Sequence, residues 1–591
     1  MVSTGSTEHT DEPTTPRPTA VVILAAGQGT RMKSALPKVL HRVGGRSMLG
    51  HAIAAGQELA PGYLAVVVGH EREQVAAAAL EIEPTVVIAE QDAIPGTGRA
   101  VQCALDVLDA RSHALRAAAL AHTDDLHSDD LHTDDLHSGR EHPLGDGIDG
   151  AVVVLAGDIP LLDGATLSQL VAAHHADGNA VTILTTEVAD PTGYGRIVRE
   201  PGTGDVLEIV EHKDATAAQR EIREINSSVY VFDAAVLRRG LGGLGANNAQ
   251  GERYLTDVVA FARSEGGVVR ALLSDDPMVV EGVNDREALA TLGAELNRRI
   301  LGEWMRAGVT IVDPATTWID VDVDLEPDVT ILPGTQLHGA TTVAAGATVG
   351  PDTTLTDVEV GPGASVVRTH GELSVIGEGA SVGPFAYLRP NTVLGRQGKI
   401  GTFVETKNAQ IGDASKVPHL SYVGDATIGE HTNVGAASVT VNYDGVDKHR
   451  TVIGSYARTG ADNMFVAPVT VGDGAYTAAG SVITRDVPAG ALGVARAQQR
   501  NVDGWVERRR AGTAAAGAAT RAQSSGQPTP TPTLGAQAQR QLAAHNALTG
   551  AIPTVPSADV PSADVPSNAA DSASDPDPAT RTADPTEGST L

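Results

Sequence analysis

Arg31 and Lys38 follow a glycine-rich stretch, Ala25-Ala-Gly-Gln-Gly-Thr-Arg31, and Asp158 closes an apolar run, Ala151-Val-Val-Val-Leu-Ala-Gly157. These residue types suit phosphate chemistry. Glycine lets backbone N–H groups approach and converge on an anion, and cations beside the loop offset its charge. A carboxylate at the carboxyl end of a strand offers hard oxygen to a divalent cation such as Mg²⁺ on a triphosphate. A plain tight turn is the alternative for the loop, and a helix cap is the alternative for Asp158.

Strands and helices of a recognisable rhythm position these groups. The apolar run at 19–24 reads as a buried strand of a mostly parallel sheet that runs straight into the glycine loop. Strand, helix and strand follow at 64–68, 71–80 and 85–89, the βαβ alternation of an open sheet whose ligands collect at the strands' carboxyl ends. From 287 to 308 the spacing turns helical, with Leu289, Leu292, Leu296, Ile300 and Trp304 three or four residues apart.

Beyond that helix, apolar residues return every six positions. Ile331, Leu337, Val343, Val349 and Leu355 form one run; Ile376, Val382, Leu388, Leu394 and Ile400 a second; Ile411, Val417 and Val423 a third. Gly or Pro commonly follows each apolar residue, which predicts a short strand and a corner per repeat and a triangular coil per three repeats. The expected structure is a parallel β-helix. Loops that carry chemistry are expected where the period slips, at the short step from Leu355 to Val360 and at the break between Ile400 and Ile411.

The totals narrow the function classes. Lys+Arg 43 against Asp+Glu 73 in 591 residues gives a net charge of −30, which disfavours nucleic-acid binding because phosphate neutralisation supplies most non-specific affinity. Cys103 is the single cysteine, so disulfides and thiolate metal clusters within one chain are excluded. No segment approaches a membrane span or a signal peptide, and a cytoplasmic protein is expected. His122-Thr-Asp-Asp-Leu and its repeats through His137 read as an expanded surface insertion rather than a metal site.

The continuation Met32-Lys-Ser-Ala-Leu-Pro-Lys38-Val-Leu makes the first half specific: Leu24-Ala-Ala-Gly27…Arg31-Met followed by Pro37-Lys38 resembles the signature of the sugar-1-phosphate nucleotidyltransferases. That resemblance implies a Rossmann-like domain in which Leu24, Ala25, Ala26 and Gly27 wrap the nucleotide, while Arg31 and Lys38 offset the triphosphate and the attacking sugar phosphate. Gln91 with Gly96 and Thr97 is similar to the family's uracil-reading segment, with Arg99 where the pattern usually has His. By the same match Gly157 and Asp158 belong to the nucleotide site, Gly195, Glu211 and Asn226 hold the N-acetylhexosamine and ribose hydroxyls, and Asn284 joins Asp158 on Mg²⁺.

The six-residue solenoid resembles the hexapeptide-repeat acyltransferases, left-handed β-helices that trimerise. Tyr387-Leu-Arg389-Pro, Glu405-Thr-Lys407-Asn, Val417-Pro-His419-Leu-Ser-Tyr422, Asn433-Val-Gly-Ala436 and Val441-Asn442-Tyr443-Asp-Gly look like the acetyltransferase half of the bacterial bifunctional UDP-N-acetylglucosamine pyrophosphorylase / glucosamine-1-phosphate N-acetyltransferase family. Acetyl transfer from a thioester to an amine needs a base near neutral pKa, and His419 fits that role. The resemblance gives Arg389, Lys407, Tyr422 and Asn433 the amino-sugar phosphate, and Ala436, Asn442, Tyr443, Ala461, Ala479 and Arg496 acetyl-CoA. Ala461 stands where the family often has Ser, and Thr406 where it usually has Val.

The expected organisation is an unordered arm over 1–18, a uridyltransferase domain over 19–286 with an insertion near 111–147, a linker helix over 287–307, a β-helix acetyltransferase domain over 308–510 and an unordered tail over 511–591. The expected function is acetylation of glucosamine 1-phosphate by acetyl-CoA, then uridylyl transfer from UTP to N-acetylglucosamine 1-phosphate, in a homotrimer that binds neither nucleic acid nor membrane. Two rival readings are a single-activity nucleotidyltransferase with a structural or regulatory solenoid, and a non-catalytic scaffold.

Overall fold

The computed structural model describes residues 16–124, 147–245 and 251–525, and a few positions between 535 and 541. Most of the N-terminal arm, the repeats following His122 and the duplicated Pro-Ser-Ala-Asp-Val of the tail lie outside the described residues.

Seven strands form the main path of the first sheet: β1 (Ala20–Ala25), β2 (Tyr63–Val68), β3 (Val87–Glu90), β4 (Ala151–Ala156), β5 (Val181–Glu187), β6 (Glu224–Asp233) and β7 (Val269–Ser274). Their spatial order is β7-β5-β6-β4-β1-β2-β3. Only β6 runs antiparallel to its neighbours, so the expectation of a mostly parallel sheet holds. The central strands read as continuous apolar runs because both faces are covered. The β1 side chains alternate accordingly: Ala20 and Val22 pack with Leu105 and Phe232 on one side, Val21 and Ile23 with Ile53 and Leu167 on the other.

The linker helix spans Arg286–Arg306, capped by the Asp285 carboxylate, which accepts from the amides of Glu287 and Ala288. Leu292 and Leu296 join Met32, Val43, Met48, Leu161 and Val283 in a small apolar cluster. Arg31 and Asn284 each adjoin a member of that cluster in sequence. Farther along, buried Asn297 donates to the Thr317 carbonyl at 2.8 Å and accepts from Ile319 N at 3.0 Å, fixing the helix to the first solenoid coil. The Val321 amide donates to Gly44 O at 3.0 Å, so the hairpin after Lys38 also rests on that coil.

The solenoid strands are short and parallel. Trp318 pairs with Gln336 and Gln336 with Thr354, a coil of 18 residues, or three six-residue repeats. Ile331, Leu337, Val343, Val349 and Leu355 are at most 1 % exposed, stacked inside one continuous core. Left-handed backbone marks the corners in rows, one running Phe385, Phe403, Leu420, Ala437, Asp462 and another Asp357, Leu373, Asn391, Asn408, Asp425. This is the parallel β-helix expected from the period.

The slips behave differently from expectation. No loop leaves between Leu355 and Val360 or between Ile400 and Ile411; continuous strands, Thr354–Val360 and Glu405–Ile411, carry the chain around a corner at Asp357 and Asn408. A single left-handed residue absorbs the missing position. The excursion lies later, where register widens from Tyr422 opposite Val439 to Ala426 opposite Thr451, and it holds Asn442 to Arg450.

A second compact unit begins at Gln498. It contains helices Trp505–Arg509 and Ala514–Ser525, the latter inside the stretch expected to be unordered. Six alanines in that twelve-residue helix supply propensity that the overall composition hides.

Candidate active sites

The first site forms where β1 and β4 end. Gly157 N donates to Leu24 O at 2.9 Å, which brings Asp158 beside the glycine loop. Gly29 has a φ of 58°, and a Cβ there would lie 2.5 Å from Lys38 Cβ, so the loop closes on Lys38 only with glycine at this position. Leu24, Ala25, Ala26, Gly27, Lys38, Gln91, Gly96, Thr97 and Asp158 line one cleft of about 1000 Å³. Gln91 Nε2 donates to the carbonyls of Ile94 and Gly96, and Thr97 Oγ1 accepts from Leu255 N at 3.1 Å.

Lys38 forms an ion pair with Asp158 and donates to Asn284 Oδ1 at 3.1 Å, while Arg31 Nη2 donates to the same oxygen at 2.7 Å. Four predicted residues from remote stretches therefore meet at one point. Glu211 and Asn226 line an adjoining cavity that shares Leu24 and Thr97 with the first. Gly195 O accepts from Asn226 N at 3.0 Å, which joins the third predicted sugar contact to them. Burial, followed by the Asp214 and Asp257 carboxylates, raises the Glu211 pKa. Arg99 pairs with Asp92 at 2.7 Å and so turns its charge along the cleft wall.

Sequence reading missed Ser228 and Tyr230 of this cavity. Tyr230 OH accepts from Asn226 Nδ2 at 2.7 Å. The signal was available: both follow Asn226 on β6, but an apolar strand pattern conceals a left-handed residue at Ser228.

On the solenoid, pairing sets Arg389 and Lys407 on one face with Tyr422: Tyr387 lies opposite Glu405, and Glu405 opposite Tyr422. Arg389 pairs with Glu405 at 2.8 Å. The Lys448 ammonium holds the Lys407 pKa below its ordinary value, with Arg389 adding to the effect. Three cations thus gather on one surface, suited to an anion. Lys448 was not predicted; it belongs to the excursion that the period placed elsewhere.

His419 stands at an exposed corner. Its carbonyl accepts from Ala437 N at 3.2 Å, Ala436 O accepts from Asp462 N at 2.7 Å, and Ala461 O accepts from Gly480 N at 2.9 Å. Ala479 packs on Gly460, and Arg496 passes beside Gly480. One ladder therefore joins the candidate base to four of the predicted acetyl-CoA residues. Asn442 and Tyr443 follow the strand Val439–Val441, which pairs with Tyr422, into the excursion, where Asn442 Nδ2 donates to Asp425. Asn433 is on another face: it bridges Lys416 and Arg458 and lines a groove with His431 and Tyr456, apart from Arg389 and Lys407 within one chain.

Two substituted positions have a structural account. Thr406 is fully buried, with its hydroxyl 2.9 Å from that of Thr392. Ala461 is exposed at its corner, where no buried group depends on the missing hydroxyl.

Comparison with known proteins agrees with both halves. Residues 21–201 match the MobA-like NTP transferase domain model and residues 140–321 the Nucleotidyl transferase model. The bifunctional protein GlmU of Kineococcus radiotolerans is 59% identical over 505 residues, covering 85% of this chain and 95% of that protein. GlmU of Pseudarthrobacter chlorophenolicus is 56% identical, covering 84% and 94%, and that of Mycolicibacterium gilvum 58%, covering 85% and 94%. With identity of this order spanning the sheet domain and the solenoid alike, the chain belongs to the bifunctional GlmU family, enzymes that unite uridyltransferase and acetyltransferase activities.

Proposed function

We propose that the two activities occupy the two clusters described above, uridylyl transfer at the β1–β4 edge and acetyl transfer on the solenoid. In the solenoid, His419 takes the proton of the amino group of glucosamine 1-phosphate. The freed nitrogen attacks the thioester carbonyl of acetyl-CoA, and coenzyme A leaves as the thiol. The His419 side chain is exposed, which leaves its ring open to substrate. Arg389, Lys407 and Lys448 hold the sugar's phosphate. Tyr422 and Asn433 orient the ring, and acetyl-CoA lies along the ladder of Ala436, Ala461 and Ala479 toward Arg496, with Asn442 and Tyr443 at its other margin.

In the cleft, a phosphate oxygen of N-acetylglucosamine 1-phosphate attacks the α-phosphorus of UTP and pyrophosphate leaves. The protein positions both partners and offsets charge with Arg31 and Lys38. Asp158 and Asn284 fit Mg²⁺, because a carboxylate and an amide oxygen reach the same Lys38 ammonium. When bound there, the ion would add charge neutralisation to the triphosphate.

The assembly we infer is a homotrimer. Phe385, Phe403 and Leu420 stand at successive corners, 51%, 59% and 59% exposed, with the two phenyl rings stacked 5.5 Å apart. A second copy would cover this apolar edge and bring an Asn433 face toward an Arg389–Lys407 face. Among the described residues no helix is long and apolar enough to cross a membrane. A cytoplasmic role supplying a cell-wall precursor fits.

The observation that carries the reading is the meeting of Arg31, Lys38, Asp158 and Asn284 at a point remote in sequence from the His419 ladder. The test follows both reactions in one preparation of wild type, Asp158→Ala and His419→Ala. Loss of one reaction per variant, with the other retained, supports two independent sites. Wild type without acetyl transfer would reduce the solenoid to a scaffold.

A further inference from the structure

The cations assigned to the triphosphate are already engaged, and by the very groups assigned to the metal. Lys38 pairs with the Asp158 carboxylate and also donates to Asn284 Oδ1 at 3.1 Å; Arg31 donates to that same oxygen at 2.7 Å. The Lys38 and Asp158 side chains are only 15% and 21% exposed, so bulk water does little to weaken the pair. Nor is the lysine loosely placed. It opens a short helical turn directly after Pro37, and its stem lies against Gly29, whose bare Cα permits the approach.

We propose that Lys38 is the resident counter-ion of Asp158 and hydrogen-bond donor to Asn284, held where a divalent cation would otherwise bind. The nucleotide's phosphates draw the lysine away and thereby free the oxygens. The free site then takes the cation and the triphosphate together, in preference to the cation alone. Lys38 is thus a coupling residue as well as a phosphate contact, and Arg31 reinforces it through Asn284. The proposal rests on the reading of Asp158 and Asn284 as metal holders.

Competition sets the size of the effect. A site that is open in about a tenth of molecules binds its ligand about tenfold more weakly than an open one. Lys38→Gln keeps most of the side-chain stem but removes the ammonium, so the oxygens are free without nucleotide.

The experiment is Mn²⁺ titration of the full chain without nucleotide, read by the loss of the free-ion EPR signal. The variants are wild type, Lys38→Gln, Arg31→Gln and Lys38→Gln/Asp158→Asn, each checked for folding by circular dichroism. We expect Lys38→Gln to bind Mn²⁺ at least about tenfold more tightly than wild type, Arg31→Gln to show a smaller gain, and the double variant to lose the gain. Equal affinity in wild type and folded Lys38→Gln overturns the coupling role. If Lys38→Gln does not fold, Arg31→Gln decides, and no gain there overturns it. A gain that persists in the double variant places the ion elsewhere and sinks the metal assignment itself.

Discussion

Thr392 Oγ1 and Thr406 Oγ1 lie 2.9 Å apart inside the solenoid, and Thr392 also donates to Arg389 O at 2.8 Å. Each hydroxyl has one hydrogen, so Thr406 donates to Thr392 while Thr392 donates to the Arg389 carbonyl. Thr406→Val removes one bond and should cost about 1 kcal/mol. Thr392→Val strands the buried Thr406 hydroxyl and leaves the Arg389 carbonyl with only the long bond from Ser374 Oγ at 3.4 Å, and should cost about 1–3 kcal/mol. Urea unfolding of the two variants checks the order; equal losses would contradict it.

Separation of the two sites makes a second prediction. His419→Ala should lower acetyl-transfer kcat by roughly 10²–10⁴-fold, the range for a positioned acid–base group, while uridylyl transfer changes less than about twofold. Parallel kinetic assays of each half-reaction measure it.

The apolar corner row predicts assembly behaviour. Phe385→Asp with Phe403→Asp should convert the proposed trimer to monomer and abolish acetyl transfer, since the proposed second copy would no longer supply the Asn433 face. Uridylyl transfer, remote from that edge, should persist. Light scattering coupled to size exclusion gives the mass.

Acid stability should depend on His174. The side chain is 5% exposed, its Nδ1 lies 3.1 Å from Thr182 Oγ1, and burial lowers its pKa from 6.5 to about 4. Between those values the unfolded chain binds the proton and the folded chain does not. Stability is therefore full above the unfolded value and lost as pH falls toward 4, by on the order of 3 kcal/mol. His174→Gln should flatten this part of the stability–pH curve, measured by urea midpoints.

Glu211 acts in the opposite sense. Burial, with Asp214 and Asp257 nearby, raises its carboxyl pKa above the ordinary range. The unfolded chain then gives up the proton first, so stability is lost as pH rises through the shifted value. Glu211→Gln should be more stable than wild type above that window and equal below it, while losing uridylyl transfer with its sugar contact. Melting curves across pH test the sign.

The sequence by itself determined much of this protein. Apolar runs ending in Gly-Gln-Gly or Gly-Asp158 fix strand and loop locally, and a six-residue period fixes a coil, because each depends on neighbours within a few positions. The glycine loop after β1 and the place of Asp158 at the end of β4 are legible for that reason. Tertiary structure decided what depends on remote partners. That Lys38 rests on Asp158 and Asn284 requires β1, β4 and the linker helix to converge. That Lys448 faces Lys407 requires an excursion between register-matched strands, which a period count placed elsewhere because one left-handed residue at Asp357 or Asn408 can absorb a slip without a loop. Asn433 was grouped with Arg389 by motif, yet the triangular coil turns them to different faces, since a corner between two repeats rotates everything beyond it.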